Sequence, residues 1–299
     1  MISSHYIDVD DALDEFAAAA GTDVVEFGRS VDDRPLRAAV VAASTPNAPT
    51  VLVDANLHGV EFVGAACALG VLRALGNQQG ASLRKRANVV VAPLLNPDGH
   101  ARTRLQNGVG TIKQLRGNAH GVDLNRNFPR PHDAPPAFWA ASGSNDPASP
   151  TYRGTAPFSE PEVRAIDALA SQHKFHAAVS FHSFMGTLIP PKVTTASDAA
   201  MYRRLCRAWR RGQRTFFYPT FMCAPLDVFT GELEDHLHHV HKCWSLTVEV
   251  YPLWRTLWRH ARAPSLFTRF NPDDPRVYVD DAVAGCLAYL DAALDQPRP

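Results

Sequence analysis

Apolar residues in this chain gather in two alternating kinds of segment. Thr50 to Asp54, Asn88 to Ala92, Ala177 to Phe181 and Leu246 to Val250 are short runs dominated by apolar and β-branched residues. Runs of that length and composition predict strands with both faces covered. Helical stretches lie between them, from about Glu61 to Leu75, Glu160 to Gln172 and Ala196 to Trp209. The chain opens with a helix over Asp10 to Ala20, for which Asp10 or Asp11 supplies the N-cap and Gly21 the stop. Val24 to Phe27 and Leu36 to Ala42 flank Asp32-Asp33-Arg34-Pro35 and predict a hairpin-like pair of strands. An Ala-rich amphipathic helix over Asp280 to Leu294 closes the chain, and Gln296-Pro297-Arg298-Pro299 is expected to fray. Strands alternating with helices imply an α/β fold, a parallel or mixed sheet covered on both faces. Residues 99 to 160 break the rhythm: they hold few apolar runs and many Gly, Pro, Asn and Ser residues. A stretch that long without periodicity in a compact domain is usually functional.

Length and composition narrow the classes. At 299 residues, 45% hydrophobic and 20% charged, the chain suits one sizeable globular domain, read as residues 1–299. Thirty basic side chains balance thirty acidic ones, so no bulk field favours nucleic acid or an acidic membrane. The start lacks a basic segment followed by an apolar one, and no stretch approaches the roughly 18 apolar residues that span a bilayer. A cytoplasmic, unanchored protein is expected. Cys67, Cys206, Cys223, Cys243 and Cys286 are widely spaced with no C-x-x-C pair, which suits reduced core thiols.

The chemistry starts at His58-Gly59-Val60-Glu61, directly after the run ending at Asp54. H-x-x-E places an imidazole and a carboxylate within one turn, and zinc accepts both. A catalytic zinc usually has three protein ligands and an open position for water. His182, at the end of one strand-like run, offers the third ligand, and Glu249, within another, offers a base. Glu249 would take the proton of the attacking water and pass it to the leaving amine. Asp123 is expected to accept the second N–H of a ligand histidine.

The order of further motifs carries a resemblance. After H-x-x-E come Asn96-Pro97-Asp98-Gly99, Gly121-Val122-Asp123-Leu124-Asn125-Arg126-Asn127-Phe128-Pro129, Phe158-Ser159-Glu160-Pro161-Glu162, His182-Ser183 and Thr247-Val248-Glu249. This series, spanning about residues 50 to 255, resembles the zinc metallocarboxypeptidases of the carboxypeptidase A and B type. Within that family it is most similar to short bacterial members without a propeptide, murein peptide amidases among them. The resemblance implies a single domain with a mixed central β-sheet flanked by helices on both faces. It implies one zinc ion per chain, held by His58, Glu61 and His182, with Glu249 as general base. It further implies Arg116 as the group facing the developing oxyanion, with Arg102 and Arg104 as neighbouring alternatives. Asn125 and Arg126 match the pair that grips a substrate's terminal carboxylate, and Ser183 joins the substrate-binding residues. The partner implied is a peptide or peptide-like small substrate with a free carboxylate, with oligomeric state left open.

Two departures stand out. The family's mobile tyrosine, which covers bound substrate, matches Asp227 here, and no tyrosine lies between Tyr218 and Tyr251. Tyr218 would have to serve from another loop, or the role is absent. The same alignment puts Glu234 at the specificity-pocket position, where a carboxylate favours a basic or amino-bearing C-terminal side chain. His236, His238, His239 and His241 are spread around a helix and read as surface histidines; Asn271-Pro272-Asp273 reads as a loop. Two competing functions remain. One is an N-acyl amino acid deacylase resembling the aspartoacylase and succinylglutamate desuccinylase group, which shares H-x-x-E, D-L-N-R and a later histidine. The other is a metal-bearing binding protein without turnover.

Overall fold

The computed structural model describes residues 2–130, 143–220 and 230–299. Asp227 and Cys223 lie outside the described residues. Helix α1 (Val9–Ala20) precedes strands β1 (Val24–Arg29), β2 (Pro35–Val41) and β3 (Thr50–Ala55), then helices α2 (Phe62–Leu75) and α3 (Ala81–Arg86) and strand β4 (Asn88–Ala92). Helices α4 (Pro97–Leu105), α5 (Ile112–Arg116) and α6 (Pro161–His173) lead to β5 (Ala177–Ser183) and β6 (Thr187–Ile189). Helices α7 (Ala196–Gly212) and α8 (Leu233–His239), strand β7 (Trp244–Val250), and helices α9 (Leu253–Ala261), α10 (Leu266–Phe270) and α11 (Arg276–Leu294) complete the chain.

The strands form one mixed sheet in the order β1-β2-β4-β3-β5-β7-β6. The four central strands are parallel and the edge pairs antiparallel. From β3 the chain crosses to β4 on one side, and β5 later adds on the other. Strand order therefore reverses beside β3, and in open α/β sheets such a switch point, at the carboxyl edge, is where ligands bind.

Strand side chains alternate between faces. Val51, Val53, Val179, Phe181, Leu246 and Val248 face one core, packed with α2, α7 and α11. Leu52, Val90 and Ala178 face the other, with Val163 and Ile166 of α6 and Leu233 and Leu237 of α8. On this second face the strands turn polar toward their carboxyl ends: Asp54, Ser180 and His182, Thr247 and Glu249. Helices thus cover both faces of the central sheet, as the sequence predicts.

The differences from the predicted elements have local causes. Asp8 caps α1, accepting from the backbone N–H groups of Asp10 and Asp11 at 3.0 and 3.3 Å. Residues 99 to 130 are not structureless, since most of α4 and all of α5 lie there. They escape a hydrophobic pattern because polar contacts hold them. Arg102 donates to the carbonyls of Gln114, Gly117 and Asn118, and Arg104 to those of Tyr6 and Ile7. The C-terminal tail is tied down: Trp244 Nε1 donates to the Pro297 carbonyl at 2.8 Å and Arg298 Nε to that of Lys242 at 3.0 Å. The histidine segment is not a surface stripe, because His236 and His238 are buried. No helix among the described residues is long and apolar enough to cross a membrane.

Asp54 sits fully buried in the middle of the sheet, with Oδ1 accepting from Ser180 Oγ at 2.6 Å and Oδ2 unpartnered. Burial pushes its carboxyl up to about 7, against the opposing hydrogen bond from Ser180. The unfolded value is about 3.9. The folded state therefore holds a proton that the unfolded chain has released, and this stabilisation is lost as pH rises toward 7. Wild type should lose stability relative to Asp54→Asn by up to about 1.4 kcal/mol per pH unit through that window, read by urea unfolding of chelated protein at several pH values. A pH-independent difference would mean that Asp54 is ionised in the fold.

Candidate functional site

The loop leaving β3 presents His58 at the switch point. Its path depends on a close backbone approach: a Cβ on Gly59 would lie 2.3 Å from the Gly99 carbonyl carbon, so neither chain has room for a side chain there. Asn96, the N-cap of α4, staples the pair, with Nδ2 donating to Leu57 O at 3.1 Å and Arg116 O at 3.3 Å. Glu61 occupies the N-cap position of α2, yet its carboxylate caps nothing. Asn271 serves that helix end instead. It accepts from Val63 N–H at 2.9 Å and donates to Val60 O at 2.7 Å, leaving Glu61 free to face the cleft. The Asn271 loop is thus a cap as well as a connection.

His58, Glu61 and His182 converge, each 3% exposed or less. His58 Nδ1 lies 2.9 Å from Glu61 Oε1, His182 Nδ1 3.1 Å from Glu61 Oε2, and the two Nδ1 atoms 3.1 Å from each other. His58 Nε2 is 3.1 Å from Asp123 Oδ1, which takes its N–H and leaves a lone pair on Nδ1. That lone pair then points at a carboxylate oxygen and a second imidazole nitrogen, an arrangement satisfied by a cation. Burial and then Arg116 oppose charge on His58, but Glu61 and Asp123 outweigh them and raise it. Burial likewise pushes Glu61 up, but His58 and His182 outweigh it and keep the carboxylate ionised. Positive charge is favoured between these three side chains, and their donor set of two imidazoles and a carboxylate fits zinc.

Arg116, at the end of α5, donates from Nε to Asp123 Oδ2 at 2.8 Å and sets Nη1 4.0 Å from Glu61 Oε1. Arg102 and Arg104 are spent on backbone carbonyls, so Arg116 is the guanidinium brought to the cleft. Burial would raise the Asp123 carboxyl, but Arg116 and His58 hold it far below the usual range. Glu249, on β7, pairs in register with His182 on β5. Its Oε2 is buried and without a partner. Burial, followed by repulsion from Glu61, pushes Glu249 upward against the pull of His58 and Arg116. Ser183, next to His182, donates its backbone N–H to Glu61 Oε2 at 3.2 Å.

Asn125 and Arg126 lie in a single 3-10 turn, Leu124–Arg126. Asn125 Oδ1 accepts from Leu233 N–H at 2.9 Å, and Arg126 Nη1 lies 2.8 Å from Glu232 Oε1. The start of α8 therefore closes on this pair, and Glu232 is a site neighbour more than a hundred residues away that no local motif signals. Glu234 is buried one position into α8, its carboxyl pushed far up by burial and then by Glu232 and Asp235. The rest of the N-R-N-F-P and F-S-E-P-E strings is one structural knot: Asn127 Nδ2 donates to Arg153 O, Ala156 O and Ser159 Oγ at 2.8–2.9 Å. Glu160 Oε2 there accepts from Asn118 Nδ2 at 2.7 Å. Tyr218 does not cover the cleft. It is buried on the opposite face of the sheet, in the core with Cys67 and Tyr278.

A family model described as zinc carboxypeptidase matches residues 10–252. Carboxypeptidase A1 of Rattus norvegicus is 29% identical over 184 residues, 58% of this chain and 42% of that protein. Carboxypeptidase A2 of Mus musculus is 31% identical over 177 residues, 56% of this chain and 40% of that protein. The chain thus spans about two fifths of the length of these curated relatives. Carboxypeptidase A from Helicoverpa armigera superposes with a TM-score of 0.74 at 21% identity, covering 97% of this chain and 73% of that one. Bovine thrombin-activatable fibrinolysis inhibitor, solved with a tick carboxypeptidase inhibitor, gives 0.74 at 19%, covering 98% and 99%. At these identities the solved structures show a shared fold.

Removing the carboxylate that orients His58 should weaken metal binding without touching a ligand. Asp123→Asn is expected to lower zinc affinity about 10- to 100-fold in competition with a chelating dye. His182→Ala should lower it further. Unchanged affinity in both variants would mean that these side chains hold no metal.

Proposed function

The chain belongs to the zinc carboxypeptidase family, and from that premise we propose that it hydrolyses the C-terminal peptide or peptide-like amide bond of a small substrate with a free carboxylate. The observation that carries the reading is Glu249, whose Oε2 is buried and without a hydrogen-bond partner, in register with His182 beside a His-Glu-His group suited to one zinc ion. A zinc ion there would acidify a water toward neutrality and supply the positive charge that draws Glu249 back to its ionised form.

Glu249 accepts the proton of the attacking water and returns it to the leaving amine. Arg116, rigid in its contact with Asp123, faces the oxygen on which negative charge develops. Asn125 and Arg126 receive the terminal carboxylate, the guanidinium as a fork and the amide as an extra donor. For this, Arg126 turns from Glu232 toward the substrate. Ser183 lines the cleft beside His182. Glu234 is buried on the same sheet face as Glu249 and supports a preference for an amino-bearing C-terminal side chain, including the second amine centre of a murein peptide. Among the described residues, four buried cysteines without a disulfide partner support a reducing compartment such as the cytoplasm. The deacylase reading is less favoured, because the family match covers residues 10–252 as a carboxypeptidase.

Two results test the proposal. Glu249→Gln should keep zinc and fold while losing about 10² to 10⁴ in kcat. An undiminished kcat would remove Glu249 from the chemistry. Zinc-loaded enzyme offered a dipeptide, its C-terminal amide, an N-acetyl amino acid and a murein tripeptide should release an amino acid or amine from the free acids only, as read by mass spectrometry. Equal cleavage of the amide contradicts carboxypeptidase action, and turnover of the N-acetyl amino acid alone establishes a deacylase.

A further inference from the structure

A second convergent group lies outside the cleft. His236 on α8 and His241 on the turn after it both direct Nε2 at the same oxygen of Asp167 on α6, at 2.7 and 2.8 Å. Their rings stand 5.0 Å apart at 74°. His236 is buried against Phe128 and Phe158, whereas Asp167 and His241 are partly exposed, so an ion can reach the group from solvent. The donor set, two imidazoles and one carboxylate, is that of His58, His182 and Glu61, and in each group the ligand atoms lie within 4.8 Å of one another.

Spacing fits the same interpretation. Tetrahedral zinc with bonds of about 2.0–2.1 Å separates its ligand atoms by about 3.3 Å. The two nitrogen-to-carboxylate distances of the second group, 2.7 and 2.8 Å, are shorter than that, as are the separations in the first, 2.9–3.1 Å. In each case a carboxylate lies between two imidazoles, and lengthening these nitrogen-to-oxygen distances by about half an ångström or less would admit the ion.

We propose that Asp167, His236 and His241 form a second, structural site for a divalent transition metal, zinc by its donor set, which ties α8 to α6. It is the weaker site. His58 has Asp123 to orient its ring, but His236 Nδ1 is buried without a partner. Its occupancy bears on the cleft through α8, whose start holds Asn125 through Leu233 N–H and Arg126 through Glu232. The site does not depend on the proposed activity.

The test uses His58→Ala/His182→Ala protein, in which the first site is disabled, stripped with a chelator and titrated with zinc. Calorimetry should find one equivalent bound, and zinc should raise the thermal unfolding midpoint. Adding His241→Gln, or separately Asp167→Asn, should weaken binding more than about tenfold and abolish the thermal shift. Far-UV circular dichroism of the metal-free variants checks that each is folded, and the two substitutions guard against a local defect in one. No zinc uptake by the double variant would overturn the proposal. So would uptake that neither His241→Gln nor Asp167→Asn alters.

Discussion

The site depends on the parallel register of three strands. Asp54 of β3 pairs with Ser180 of β5, Ser180 with Thr247 of β7, and His182 with Glu249. Because side chains alternate, a slip of one residue in either pairing would turn His182 or Glu249 into the apolar layer under α2 and α11. Register is fixed in turn by that layer, where Val53, Phe181 and Val248 are fully buried. Hydrophobic packing on one face thus aims the polar residues on the other, toward the point where strand order reverses.

Asp123 joins the parts that the sheet alone does not align. One of its oxygens faces His58 and the other takes Arg116, while its backbone N–H is held by Tyr152 O at 2.8 Å. A single carboxylate thereby orients the ring of His58, a candidate metal ligand, and the guanidinium proposed to face the oxyanion. The Arg116 guanidinium and the N–H of His58 stabilise it as the anion, which explains why this fully buried aspartate is held low while burial pushes Asp54 up. Glu61 shows a comparable division of labour. Its place at the start of α2 would ordinarily be spent on capping, and Asn271 takes over that task from two hundred residues away.

Much of this was legible in the chain. The buried strands announce themselves by uninterrupted apolar runs, and His58, Glu61, His182 and Glu249 stand at or just beyond their ends. What escaped was held by long-range polar contacts, which leave no periodic trace. Helix α4 rests on arginine-to-carbonyl bonds, and Glu232 reaches Arg126 across a loop. The histidines after Glu234 looked dispersed because a helical projection ignores the turn that swings His241 back beside His236. Tyr218 seemed available for the cleft by sequence proximity alone, but β6 and the segment after α7 carry it to the other face.

The proposed zinc centre at the polar edge of β3, β5 and β7 rests on His58, Glu61 and His182. Crystals of protein loaded with one equivalent of zinc, measured across the zinc absorption edge, test it most directly. An anomalous peak is expected about 2.0–2.2 Å from His58 Nδ1, His182 Nδ1 and a Glu61 carboxylate oxygen, with Glu249 facing the open side. A principal peak elsewhere, with these three side chains still bonded only to one another, would contradict it.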